Sequence, residues 1–102
     1  MQTGTFYPLM RNHAGKGTSP QEPWRFGEPY LTLARAALER RYRLLPTLYT
    51  LMHEASETGL APLRPLLMEA PGDAEAAGAF DQFLFGRDLL VAPVVRPGQT
   101  KR

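Results

Sequence analysis

Residues 30–58 constrain this chain more than any other stretch. Leu31, Ala34, Leu38, Tyr42, Leu45, Tyr49, Met52 and Ser56 recur at steps of three or four. That is the repeat of an α-helix laying one mostly apolar stripe against a core. Pro29 suits the first helical turn, and Gly59 suits the left-handed residue that ends a helix. Pro46 falls inside the pattern. It lacks a backbone donor, and its ring crowds the carbonyl four residues back. The spacing therefore predicts one helix bent near Pro46, or two helices meeting at Leu45-Pro46.

The flanks read differently. Residues 1–13 suggest a turn and a short strand, because Phe6-Tyr7-Pro8-Leu9-Met10 is apolar throughout and a continuous apolar run fits a strand buried on both faces. Pro8 is the weak point, since it cannot donate to a ladder. Residues 14–29 are dense in Gly and Pro and read as a loop, with Trp24 and Phe26 expected to pin it by packing. Past the helix, Pro62–Met68 reads as extended, Pro71-Gly72-Asp73 as a turn and Ala74–Ala79 as a weak helix. Gln82–Phe85 reads as a short strand, Asp88–Val95 as β-rich and Pro97-Gly98 as a turn. No internal repeat is present. The fold class is α+β, belonging either to a small protein or to a slice of something larger.

Charge and composition narrow the function. The formal net charge of +2 is too small an excess to argue for nucleic acid or a membrane surface. Arg35, Arg40, Arg41 and Arg43 crowd one helical segment, but Glu39 can pair with Arg35 and Arg43 one turn away, which describes a solvated face. With no cysteine, disulfide and thiolate chemistry are excluded. No 18-residue apolar run can span a bilayer, and the first residues do not follow the signal-peptide pattern. A cytoplasmic location is favoured on that ground.

Few residues are candidates for chemistry. His13 lies between Asn12 and a glycine-flanked loop, where an imidazole could bind a hydroxyl or move a proton; a histidine held by local hydrogen bonds in a turn is the plainer alternative. His53, on the helix, reads as a solvent-facing or interface residue. The two histidines are far apart in sequence with no carboxylate cluster beside them, so neither a metal site nor any other cofactor is expected. Gly15-Lys16-Gly17-Thr18 is no phosphate loop, because the glycine required five residues before the Gly-Lys pair is Met10. Among the acidic residues none stands in a setting that recommends it as nucleophile or acid. Glu22, beside Trp24, is the least implausible, and a structural role is expected even there.

Four segments together resemble glycoside hydrolase family 31. They are Met1-Gln2-Thr3-Gly4-Thr5-Phe6-Tyr7-Pro8, Arg11-Asn12-His13, Gln21-Glu22-Pro23-Trp24-Arg25-Phe26-Gly27, and Arg41-Tyr42-Arg43-Leu44-Leu45-Pro46-Thr47-Leu48-Tyr49-Thr50. Arg64-Pro65-Leu66, Pro71-x-Asp73 and Phe85-Gly86-Arg87-Asp88-Leu89-Leu90-Val91-Ala92-Pro93-Val94 continue the match in order. Thr47 and Ala70 depart from it, each standing where the family usually has an aromatic. The resemblance implies the last strand and last helix of a (β/α)8 TIM barrel over 1–59. It implies the start of a C-terminal β-sandwich domain over 60–102. A whole barrel needs roughly 250 residues, so this stretch would be a fragment of one.

The resemblance also implies an activity. Family 31 enzymes of the α-glucosidase type release terminal α-linked glucose from α-glucosides or oligosaccharides with retention, using two carboxylates. Neither family motif for those carboxylates matches here, so the isolated fragment is expected to be inactive and free to self-associate. His13 matches the family histidine that hydrogen-bonds the sugar, and Arg11 is the second expected substrate-binding residue, holding the strand end with Asn12. The same resemblance admits an α-xylosidase or α-transglucosylase. The rival class is a non-enzymatic interaction module, whose sign would be an exposed Leu/Tyr stripe.

Overall fold

The computed structural model describes residues 1–101. Its dominant element is helix α1, Tyr30–Thr58, which continues through Pro46 as one helix. The start is fixed by backbone bonds that reach outside the helix: Leu31 N–H donates to Gly27 O at 2.9 Å and Leu33 N–H to Pro29 O at 3.1 Å. The end is closed by Gly59, whose φ of 77° is left-handed and whose N–H donates to Ala55 O at 2.9 Å. That conformation costs an L-residue with a side chain about 1–2 kcal/mol and costs glycine little.

The chain forms two compact units, Met1–Tyr49 and Thr50–Arg102. In the first, Thr3–Phe6 is a 3-10 turn fastened to α1 at two points. The buried Thr5 hydroxyl donates to Ala37 O at 3.2 Å. The Arg41 guanidinium gathers four carbonyls, donating to Gly4 O at 3.2 Å, Thr5 O at 3.2 Å, Tyr7 O at 2.7 Å and Pro8 O at 3.2 Å. Ala34, Ala37 and Leu48 are the buried helix residues of this unit. The small alanines let the Thr3–Phe6 turn approach the helix backbone closely enough for the Thr5 bond.

In the second unit a three-stranded antiparallel sheet has the order β1 (Leu63–Arg64), β2 (Phe83–Phe85), β3 (Leu89–Val91). Leu63 pairs with Phe85 in β1–β2, and Phe83, Leu84 and Phe85 pair with Val91, Leu90 and Leu89 in β2–β3. Leu51, Phe85 and Val91 are buried. Asp73 caps the short helix α2, Ala74–Ala77, by accepting from Glu75 N at 2.8 Å and Ala76 N at 3.2 Å. Arg64, only 1% exposed, donates to Ala61 O at 3.0 Å, Glu69 Oε1 at 3.2 Å and Glu54 Oε2 at 3.4 Å.

Several expectations need correction. Residues 1–13 form no strand: Thr3–Phe6 is a 3-10 turn, and β pairing does not involve this segment. A barrel strand takes its ladder from neighbours on both sides, and among the described residues the strands pair only with each other. The helix does not bury the stripe of largest apolar residues. Its buried or half-buried residues are Leu31, Ala34, Ala37, Arg41, Leu44, Leu48, Leu51, Glu54 and Ala55. Tyr42 and Tyr49 are 72% and 79% exposed, with Leu38, Leu45 and Met52 exposed beside them. The extended reading of Pro62–Met68 holds only for Leu63–Arg64, since Leu66–Met68 is a 3-10 turn. Asp88–Val95 contributes strand only at Leu89–Val91. Glu39 pairs with neither Arg35 nor Arg43 among the described residues; the ion pairs centre on Arg64.

Candidate functional site

Arg11, Asn12 and His13 follow the segment that Arg41 and Thr5 fasten to α1, and all three are exposed. Each makes a defined contact. Arg11 Nη2 lies 2.9 Å from His13 Nδ1. The Asn12 amide Nδ2 donates to Gln21 O, closing the base of the loop that runs from 13 to 20. At the loop's tip, the Thr18 N–H and Oγ1 donate to Gly15 O at 3.2 and 2.8 Å, with Gly17 at a left-handed φ of 84°. The loop is therefore tied at its base and folded at its tip.

Beyond the loop, Pro23–Phe26 makes a 3-10 turn opened by Glu22, whose carbonyl accepts from Arg25 N at 2.9 Å. Trp24 and Phe26 are both exposed, so neither pins the loop by burial as expected. They line hollows instead. Trp24 lines one of about 520 Å³ with Leu31, Ala34, Leu38 and Tyr42 on α1. Phe26 lines another of about 700 Å³ together with Tyr7, Leu9, Arg11, Asn12 and Gln21. Two of the three Arg-Asn-His residues thus face this larger hollow, while His13 is not among its lining residues.

His53 is exposed on α1, where its carbonyl accepts from Ser56 Oγ at 2.7 Å. Glu28 Oε2 accepts from Thr32 N at 3.3 Å near the start of α1, a local helix-start bond. No group of three metal-binding side chains converges among the described residues. No described helix is long and apolar enough to cross a membrane. Sequence reasoning missed Arg41, which it assigned to a solvated face. The signal that could have found it is its place in the inner row of the helix, one turn from Ala37 and Leu44.

An exposed histidine with an arginine on its ring stands beside a loop tied at its base by Asn12. Comparison with known proteins gives the family. Residues 1–51 match the TIM-barrel domain of glycosyl hydrolases family 31, and residues 59–102 match the C-terminal domain of the same family. The chain belongs to glycoside hydrolase family 31, spanning the end of its barrel domain and the start of the domain that follows.

Among its relatives, α-glucosidase 2 of Bacillus thermoamyloliquefaciens is 45% identical over 102 residues, covering 100% of this chain and 13% of that protein. The family 31 dextranase of Flavobacterium johnsoniae, solved with glucose, superposes with a TM-score of 0.89 at 46% identity, covering 96% of this chain and 12% of the other. A family 31 α-xylosidase from a soil metagenome, solved with xylose, gives a TM-score of 0.81 at 34% identity, covering 96% and 17%. The chain therefore spans between about a tenth and a sixth of each protein it matches.

Proposed function

We propose that this chain is the part of a retaining α-glucosidase that helps to hold the non-reducing sugar, with the nucleophile and the acid/base supplied by the rest of the polypeptide. Residues 1–59 are assigned to the end of the catalytic barrel and residues 60–102 to the start of the β-sandwich. The observation that carries this reading is His13: an exposed imidazole in Arg11-Asn12-His13, with Nδ1 engaged by Arg11 and Nε2 without a partner among the described residues. Barrel active sites are built from loops at the carboxyl ends of the strands, and the loop tied by Asn12 lies within the residues matched to the barrel domain. The α-glucosidase named among its relatives supports glucose over xylose, and the xylosidase match keeps the xyloside as the competing substrate.

The exposed Leu38–Tyr42–Leu45–Tyr49 row also fits the non-enzymatic interaction reading. It fits a barrel segment as well, because an outer barrel helix has further apolar area to cover against its neighbours. Family membership favours the second.

In the reaction, one carboxylate attacks the anomeric carbon while another protonates the leaving oxygen. A neutral imidazole contributes by hydrogen-bonding a sugar hydroxyl, a contact that accelerates the reaction only as far as it strengthens in the transition state. The test is His13→Ala in the full-length enzyme. Loss of one such contact is worth on the order of 2–4 kcal/mol, or roughly 30- to 1000-fold in kcat/KM, with little change in melting temperature because the side chain is exposed. His53→Ala is expected to leave turnover near wild type. Near-normal turnover in the His13 variant, or a melting-temperature collapse that accounts for lost activity, rejects the assignment.

A further inference from the structure

We infer that Arg11 acts through His13, fixing the imidazole in the tautomer that carries its proton on Nε2, so that His13 meets the sugar as a hydrogen-bond donor. The inference rests on the glycosidase reading above and assigns the direction of one contact within it. It also makes Arg11 a positioning residue rather than a second hand on the substrate.

The argument is one of donor and acceptor capacity. A guanidinium stays charged and offers donors only. The ring atom 2.9 Å from Arg11 Nη2 is His13 Nδ1, and at that distance Nδ1 must supply a lone pair. A neutral imidazole has one donor nitrogen and one acceptor nitrogen. With Nδ1 accepting, the proton is on Nε2. The outward edge of His13 then presents an N–H, which seeks an oxygen lone pair and cannot take a proton from a hydroxyl. An imidazolium would have no Nδ1 lone pair to offer, so the contact as built uses the neutral ring.

The neighbouring bonds keep the pair in place. Asn12, between the two partners, is held by Gln21 O, which limits how far the backbone carrying Arg11 and His13 can swing. The segment preceding Arg11 is held in turn by Arg41 at Tyr7 O and Pro8 O. One Arg11 donor is thus spent on the ring, and the ring's free edge is left to donate.

The test is a double-mutant cycle in the full-length enzyme, read as kcat and KM on a chromogenic α-glucoside, with a thermal melt for every variant. Arg11→Met is expected to lower kcat/KM about tenfold in the wild-type background and by less than about twofold when His13 is already alanine. Arg11→Lys, which keeps a donor, is expected to recover part of the loss. His13→Gln can place an amide N–H near the Nε2 position, whereas His13→Glu can only accept there once ionised, so the glutamine variant is expected to retain the greater activity. Additive losses in the cycle would mean that Arg11 touches the sugar on its own, overturning the inference. Glu serving as well as Gln would overturn it too, since the ring would then be an acceptor. So would a melting collapse in Arg11→Met that Arg11→Lys does not repair, which would make Arg11 structural. A wild-type enzyme inert on α-glucosides and α-xylosides alike rejects the glycosidase reading itself, and the inference with it, before the cycle is run.

Discussion

Arg64 offers the sharpest test of the forces in the second unit. Its side chain is 1% exposed, while its carboxylate partners Glu54 and Glu69 are 31% and 42% exposed. The arginine has lost its water; the glutamates keep part of theirs. Removing the acidic partners therefore strands a buried cation, whereas removing Arg64 lets both carboxylates turn to solvent. The paired change Glu54→Gln with Glu69→Gln keeps shape and acceptor oxygens but cancels both negative charges. Loss of the partners of a buried charge costs about 3–5 kcal/mol when the pair is fully buried. Partial exposure of the glutamates reduces this to roughly 2–3 kcal/mol by screening.

Arg64→Met keeps most of the stem's packing and leaves only Ala61 O without its donor, a loss of about 1 kcal/mol. The two variants should thus rank opposite to a simple count of bonds removed. Urea unfolding, followed through the amide protection of β2 and β3, measures the difference. With a slope of about 1–3 kcal/mol per M, the double glutamine variant should shift its midpoint down by roughly 1–2 M, and Arg64→Met by less than half of that. A double glutamine variant within about 0.5 kcal/mol of wild type would show that these contacts behave as surface pairs and refute the argument from burial. Arg64→Met emerging as the more damaging change would refute it as well.

Two further outcomes are expected from the same measurements. Gly86→Ala should cost roughly 2 kcal/mol, because Gly86 combines a φ of 67° with a Cβ position 3.0 Å from Leu51 Cδ2; Gly59→Ala, equally left-handed but open within 4 Å, should cost about half as much, and equal losses would remove the steric part of the explanation. Arg41→Met should lose about 1.5–3 kcal/mol of charge-assisted bonding to residues 4–8, seen as faster amide exchange at Thr5 and Tyr7 with the β1–β3 amides unchanged; uniform loss of protection would count against a local clamp.

The sequence announced α1 through periodicity and its ends through Pro29 and Gly59, because these signals are local and the physics behind them is backbone physics. It misjudged which face is buried because two adjacent apolar rows share the helix. Weighing side chains by size favours the row of Leu38, Tyr42, Leu45 and Tyr49. What decides burial within this chain is where another segment can come close, and the Thr3–Phe6 turn comes close at Ala37 and Arg41. That information is not periodic. The strand expected before His13 failed for a related reason: an apolar run states that a segment could be paired, and pairing requires a neighbour. Arg11 and His13 were legible as a candidate pair only through the family motif. The 2.9 Å contact between them is a matter of side-chain direction, which no spacing rule supplies.

The same limit explains the arginines. Only Lys16 and Lys101 are lysines in this chain, and a charge count treats the remaining cations as interchangeable surface groups. Three of them have geometric tasks that a point charge would perform poorly. Arg41 spreads its donors over four carbonyls of one turn. Arg64 reaches two carboxylates and a carbonyl at once from a buried position. Arg11 places one donor on a ring nitrogen while remaining exposed. The Arg41 and Arg64 tasks use the planar, permanently charged fork of the guanidinium, with several donors in fixed directions. An ammonium in these places could satisfy fewer acceptors and would be more strongly drawn to water. At these three positions the choice of Arg over Lys is a matter of hydrogen-bond geometry. In this chain that geometry runs from the turn beneath the candidate site, through Arg41, to the histidine edge held by Arg11.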